Sequence, residues 1–269
     1  MSDLPDIETF ASDYPRGSGV APHAHDFGQV AFARRGVMRV VARGDGGRVG
    51  DGHAETRRGG VWVVPPGRAL WIPARVPHEV QCRTEVAMRT VYLRADRRLP
   101  YRDALAVLEV TPLLREVILR LVEGPVIEGP AGGGEPGGDD TRPHLVALLV
   151  AELGAAPTVP LHLPQPRDPR LERIVARLMA EPAARGTLED WAAAAGMARR
   201  SFARRVAAET GLSFGAWRRR LRMLRAIEQL AAGDPVTAVA LETGYDSVSA
   251  FIHAFRGELG VTPGRYFGG

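Results

Sequence analysis

The 269-residue chain has no lysine; all 35 of its basic residues are arginine. Every cationic contact must therefore be made by a guanidinium, which grips phosphate and guanine with two bonds. A biased genomic base composition produces the same replacement, so the bias alone does not decide function. Cysteine is nearly absent: Cys82 is the only one. That excludes an internal disulfide and fits a reducing compartment. Long apolar runs are missing too. The longest, residues 145–153, is interrupted by Glu152 and falls far short of the roughly 20 residues that cross a bilayer. Residues 1–10 are acidic and hold no apolar h-region, so no signal peptide is expected. A cytoplasmic protein without membrane contact is the expectation.

What is present is uneven. Residues 1–167 carry 20 arginines and 20 acids; residues 168–269 carry 15 and 11, a net charge of +4. Within the second part, residues 197–225 hold nine arginines and one acid, Glu209, a net of +8. So basic a block is an electrostatic footprint for a polyanion. At this length there is room for two cores.

Residues 20–95 predict short strands at 29–33, 37–43, 61–64, 69–72, 79–82 and 86–93, rich in Val, Trp and Tyr. Gly36, Gly44-Asp45-Gly46-Gly47 and Pro65-Pro66-Gly67 separate them. Many short strands with tight turns indicate a sandwich or small barrel. Apolar spacing then becomes helical over 112–123, and a second helix is expected over 145–153. Residues 128–142, rich in Gly, Pro and Asp, predict a mobile loop. Residues 155–168 hold four prolines and predict an extended linker. Domains at 1–154 and 169–269 follow.

The second domain predicts helices throughout. Asp168-Pro169 and Asp234-Pro235 look like helix starts, and Thr187 with Asp190 like a capping box. Gly196, Gly211, Gly233, Gly244 and Gly260 fall where helices should end. One phrase occurs twice. Gly196-Met197-Ala198, Phe202, Val206 and Gly211-Leu212-Ser213 are matched by Gly244-Tyr245-Asp246, Phe251, Phe255 and Gly260-Val261-Thr262. Each copy is a helix, a glycine turn and a second helix with one apolar stripe, the pattern of a helix-turn-helix.

A helix rotates about 100° per residue. With Phe202 at the origin, Arg200 and Arg204 lie near 160° and 200°, and Ala203 and Ala207 near 100° and 140°. Small residues beside arginine suit a helix in the major groove. Arg199 and Arg205 lie nearer the flanks and are expected at phosphate. In the second copy Ser249, His253 and Arg256 face outward, with Ile252 at the edge. Residues 233–269 carry two arginines against four acids, so the first copy should supply more of the affinity. Between the copies, residues 214–231 predict one helix of about 27 Å, with Trp217, Leu221 and Leu224 inward. Such a spacer could set two reading helices in successive grooves. Arg218 and Arg222 border its stripe and are expected at phosphate.

Residues 187–267 resemble the DNA-binding domain of the AraC/XylS family of transcriptional regulators. The resemblance is carried by Gly196-Met197, Gly211-Leu212-Ser213-Phe214, Trp217, Arg222, Ala226, Val239-Ala240, Gly244-Tyr245-Asp246-Ser247, Ser249, Phe251, Phe255, Gly260-Val261-Thr262-Pro263 and Tyr266. Ala198 replaces the Ser common there, which predicts a weak cap on the first reading helix. The resemblance implies a double-stranded DNA operator, and with it RNA polymerase as a partner; a homodimer is expected through the helices over 112–123 and 145–153, which carry more apolar surface than a lone helix can hide.

His23-Ala24-His25, Gln29 and Gly36 resemble the first cupin motif, and residues 65–78 the second. In that family two histidines, an acid four residues on and a later histidine bind a metal. The resemblance puts His23, His25, Gln29 and His78 in those places, with Gln29 a neutral, weaker ligand. Three His and an amide oxygen suit Zn²⁺, Fe²⁺ or Ni²⁺; the alternative is that they line an effector pocket without metal. Trp62 is expected in the core, and Trp71 either there or at a small-molecule site. The fold class is α+β: a small cupin-like barrel with flanking helices, then an all-α domain with two helix-turn-helix units. The function expected is a DNA-binding regulator that is not an enzyme and answers to a small-molecule effector. The competing readings are a metal-dependent cupin oxygenase or isomerase with a DNA anchor, and an architectural DNA-binding protein without effector.

Overall fold

The computed structural model describes residues 7–43, 59–94, 99, 101, 103–124 and 141–267. The expected turn at 44–47 and most of the expected loop at 128–142 lie outside them. Among the described residues, eleven strands form two antiparallel sheets. The first holds β1 (Ile7–Tyr14), β8 (Val86–Leu93), β3 (Gly28–Arg35), β6 (Arg68–Ile72), β9 (Ala106–Glu109) and β10 (Thr158–Val159), in that order. The second holds β11 (His162–Pro164), β5 (Gly59–Val64), β4 (Met38–Arg43), β7 (His78–Cys82) and β2 (Gly19–His23).

Period-two alternation decides what each sheet covers. On β3 and β6, Ala31, Ala33, Leu70 and Ile72 enter the core between the sheets, with Met38, Val40, Trp62 and Val80 opposite. Their neighbours Val30, Phe32, Ala69 and Trp71 point the other way. There α1 (Pro112–Glu123) and α2 (Arg142–Ala155) cover them with Leu114, Val117, Ile118, Leu121, Leu149 and Leu153. Trp62 is fully buried in the barrel core, as expected. Gly36 turns β3 into β4 at φ 80°, and a Cβ there would lie 1.9 Å from the Glu85 carbonyl oxygen, so only glycine fits.

Two expectations change. Residues 155–168 are not a free linker. Thr158 and Val159 pair with Leu108 and Val107, and His162–Pro164 pair with Trp62–Gly60. The prolines leave the segment extended, and two open sheet edges accept it. The start of α7 (Val236–Glu242) is also different: Pro235 holds the N-cap position with no side-chain bond, so Asp234 does not cap.

The second domain is helical: α3 (Pro169–Ala180), α4 (Leu188–Ala194), α5 (Arg199–Thr210), α6 (Phe214–Ala231), α7, α8 (Val248–Leu259) and α9 (Pro263–Phe267). Asp168 caps α3, Thr187 and Asp190 form a reciprocal box on α4, and Ser213 and Ser247 cap α6 and α8. Ala198 leaves α5 without a side-chain cap. All five expected terminal glycines have positive φ. The spacer α6 buries more than its expected stripe. Met223, Ala226, Ile227 and Glu228 are buried as well, because a second face of the helix lies on the outer side of the β11-β5-β4 sheet. There the Trp217 indole N–H donates to the Pro164 carbonyl at 2.8 Å.

Candidate nucleic-acid interface and ligand pocket

Each helix-turn-helix is locked from within. Phe202 and Val206 of α5 are buried, with Phe202 edge-on to Phe214 at 5.0 Å. Phe251 and Phe255 of α8 are fully buried. Burying such side chains contributes about 1.5–3 kcal/mol each, which fixes the rotation of each reading helix and hence what it shows to solvent. On α5 that face holds exposed Arg199, Arg200 and Arg204 beside the half-buried Ala203. Arg200 and Arg204 make no ion pair among the described residues, whereas Arg199 meets Glu189 at 2.9 Å. Arg205, expected at phosphate, instead meets Asp168 at 3.2 Å and Glu209 at 3.5 Å. On α8, Ser249, His253 and Arg256 are exposed and Ile252 is half-buried. The two faces thus carry the side chains that the repeat spacing assigns to them, and α6, 18 residues and so about 27 Å long, lies between them in the chain.

Arg218 and Arg222 stand differently from expectation. Arg218 donates to the Ala184 and Gly186 carbonyls at 2.6 and 3.3 Å, with its guanidinium 5.5 Å from the Trp191 ring. Burial pushes its pKa down. Arg222 donates to the Pro182 and Gly244 carbonyls at 3.1 and 3.2 Å. These donors, assigned to phosphate from sequence, are committed to the protein's own backbone. They tie α6 to the segment before α4 and, through Gly244, to the turn that leads into α8. Carbonyls have no sequence signature, so helical periodicity alone could not find these partners.

The spacer also meets the barrel through charge. Glu228, 3% exposed, accepts two bonds from Arg39 of β4, both 2.7 Å, and one from Arg225 at 3.0 Å; Arg83 stands 3.7 Å away. The alternation of β4 explains this: Met38 and Val40 face the core, so Arg39 faces α6.

At the open ends of the two sheets lies a cavity of about 430 Å³. One face of β1 lines it with Glu8, Phe10, Ser12 and Tyr14, and one face of β8 with Met88, Thr90 and Tyr92. His23, His25 and Gln29 lie on its wall. His78 joins them: its ring centroid is 4.3 Å from that of His23 and 5.1 Å from that of His25. His23 ends β2 and pairs with His78 across the strands, while His25 sits in the following turn. Convergence of His25 with the other two therefore comes from the turn after β2. Burial, with the neighbouring imidazoles adding to it, pushes the His78 pKa down to about 4. Trp71 is a correction. It does not line this cavity; its indole lies in the core beneath α1 and α2, edge-on to Tyr101 at 6.1 Å. It alternates with Leu70 and Ile72 on β6, which puts it on the helix side. The lining from β1 was missed, although the period-two spacing of Phe10, Ser12 and Tyr14 could have shown it.

A cavity-bearing barrel joined to a tandem helix-turn-helix domain defines a ligand-binding transcriptional regulator. Comparison with known proteins agrees. The family described as "AraC-like ligand binding domain" matches residues 4–189, and "Helix-turn-helix domain" matches 191–268. The HTH-type transcriptional regulator NimR of Escherichia coli strain K12 is 33% identical over 244 residues, 91% of this chain and 81% of NimR. The chain belongs to the AraC family of transcriptional regulators. Among solved structures, ToxT of Vibrio cholerae bound to an unsaturated fatty acid is 11% identical, with TM-score 0.37, covering 99% of this chain and 96% of that one. The DNA-binding domain of AdpA in complex with a target DNA is 33% identical over 37% of this chain and 90% of that one, with TM-score 0.35. Among the described residues no helix is long and apolar enough to cross a membrane.

Proposed function

We propose that the protein reads an operator through two successive major grooves and that a small molecule in the barrel cavity controls it. In the first groove Arg200 and Arg204 contact base edges, with Ala203 allowing close approach. In the second, Ser249, Ile252, His253 and Arg256 set register. Arg199 serves phosphate. Arg218 and Arg222, expected at phosphate, act instead as intramolecular ties. The observation that carries this reading is the pair of arginines, exposed and without an ion pair among the described residues, on a helix whose opposite face is immobilised.

The cavity has the size of a small-molecule site. Among the described residues no carboxylate joins its histidine cluster as a general base, which supports binding rather than catalysis. The residues also fit the metal that the barrel's resemblance implies. His23, His25 and His78 each offer a ring nitrogen within 4.8 Å of the others, and Gln29 Oε1 lies 3.0 Å from His25 Nε2. Those four would hold it, and a bound ion would supply Lewis-acid attraction for a ligand. A homodimer through α1 and α2 is supported by Leu113 and Leu148, which are 50% and 37% exposed.

The test is selection of genomic fragments by the purified chain, followed by affinity measurements on the enriched site. Enrichment of one motif, bound at least a thousandfold tighter than random duplex, supports the reading. Binding with little preference for sequence identifies an architectural protein instead.

A further inference from the structure

The three imidazoles on the cavity wall share one bonding pattern. Nδ1 of His23, His25 and His78 lies 2.9, 2.6 and 2.9 Å from the carbonyl oxygens of Ala21, Phe27 and Val76. A carbonyl oxygen only accepts, so each Nδ1 carries the hydrogen. In a neutral ring Nε2 is then a bare lone pair, the arrangement that a backbone carbonyl imposes on metal-ligating histidines. His78 Nε2 is buried and has no hydrogen-bond partner among the described residues. His25 Nε2 faces Gln29 Oε1 at 3.0 Å, so two acceptors are in contact. Rotating the Gln29 amide relieves that pair, yet it leaves His78 Nε2 unsatisfied inside the protein. A shared cation relieves both, and two atoms 3.0 Å apart are near enough for one ion with bonds near 2.1 Å to meet both.

The charge of this donor set is the second observation. Three imidazoles and one amide are all neutral, so a divalent ion held by them keeps its full charge at a largely apolar wall. Glu8 lines the cavity from β1 but stands outside the cluster. An uncompensated charge in such surroundings draws an anion. Phe10, Tyr14, Met88 and Tyr92 offer apolar contact to that anion's body. We propose that His23, His25, His78 and Gln29 hold a divalent transition metal whose open side binds a small organic anion, a carboxylate or phenolate, and that this anion is the effector. The proposal rests on the reading of the cavity as the effector pocket.

The test uses the full-length chain, stripped with a chelator and loaded with Co²⁺, with benzoate as the anion probe and benzyl alcohol as its neutral counterpart. Mass spectrometry of the dialysed protein is expected to give one Co²⁺ per chain, and His78→Ala to lower metal affinity at least tenfold. Benzoate should shift the visible bands of bound Co²⁺, while benzyl alcohol leaves them unchanged. Gln29→Glu, which supplies the negative charge from the chain itself, should retain Co²⁺ and weaken benzoate at least tenfold. Substoichiometric metal, or equal metal in His78→Ala that keeps its circular dichroism, overturns the metal site. Stoichiometric Co²⁺ with bands indifferent to benzoate, acetate and salicylate overturns the anion. Operator affinity of the stripped protein, measured alongside, keeps failure of either part distinct from failure of the regulator reading.

Discussion

Replacing Arg222 by alanine separates two roles that the sequence pattern cannot tell apart. As a phosphate contact, Arg222 would release about one counterion, and its loss would reduce the salt slope of DNA binding by about 0.9. In the structure its guanidinium instead spans two carbonyls, Pro182 at 3.1 Å and Gly244 at 3.2 Å, beside the Tyr245 ring. Gly244 holds φ 81° and lies so close that a Cβ would come 2.8 Å from Arg222 Nη2 and 2.9 Å from Ala183 Cα. Three chain segments therefore meet at this one side chain. A hydrogen bond from a charged donor contributes about 1.5–3 kcal/mol, and half-burial puts the two bonds together nearer 2–3 kcal/mol. Arg222→Ala should lower unfolding free energy by that amount in urea. Affinity for a full operator should fall, because the two reading helices lose their common tie, while the slope of log K against log salt stays within about 0.3 of wild type. Fluorescence anisotropy across a salt series gives the slope, and circular dichroism the urea midpoint. An unchanged midpoint with a slope reduced by about 0.9 would refute the tie and restore the phosphate contact.

Other substitutions probe the reading face and the junction of the domains. Arg200→Ala and Arg204→Ala should each cost about 1–3 kcal/mol on the cognate site and relax preference at one base pair; equal loss on every sequence would move both to the phosphate backbone. Glu228→Gln leaves Arg39, Arg83 and Arg225 around a neutral amide and should destabilise the chain by about 2–4 kcal/mol in urea; a change under about 0.5 kcal/mol would mean that the barrel and α6 are not held together there. His162, stacked on Trp62 at 4.3 Å, has its pKa pushed down to about 3 by burial, with Arg220 adding to the shift. The unfolded chain, titrating near 6.5, takes that proton first. Stability from this group is full above about pH 6.5 and falls by roughly 1.4 kcal/mol per unit below it. His162→Phe should flatten that acid limb, and an unchanged pH profile would show that His162 does not set it.

The local rules of the helical domain were legible. Phe202 and Phe251 mark buried stripes, Gly196 and Gly244 mark left-handed turns, and Thr187 with Asp190 marks a cap. Each signal lies within a few residues of its effect, and the repeat doubled it. The barrel strands of highest Val content were legible for the same reason. β1 was less so: Glu8, Thr9, Ser12 and Asp13 leave it no apolar run, and only the period-two spacing of Phe10, Ser12 and Tyr14 marks it. β10 and β11 were not, because proline-rich segments read as linkers until an open sheet edge is known to lie beside them. The ties of Arg218, Arg222 and Glu228 reach across 22 to 189 residues, and no pattern within one helix can show which distant group accepts an arginine. The histidine cluster falls between these cases. Its members were legible by resemblance, yet the carbonyls that orient each Nδ1 emerge only from the turns around them.

The central claim is that two reading helices, α5 and α8, enter successive major grooves on one face of the duplex. Guanine methylation interference on the enriched operator tests it most directly. Two clusters of interfering major-groove positions should appear about 10 base pairs apart on the same face. Arg200→Ala should weaken one cluster, and Arg256→Ala the other. A single cluster, or two on opposite faces of the DNA, would contradict the account.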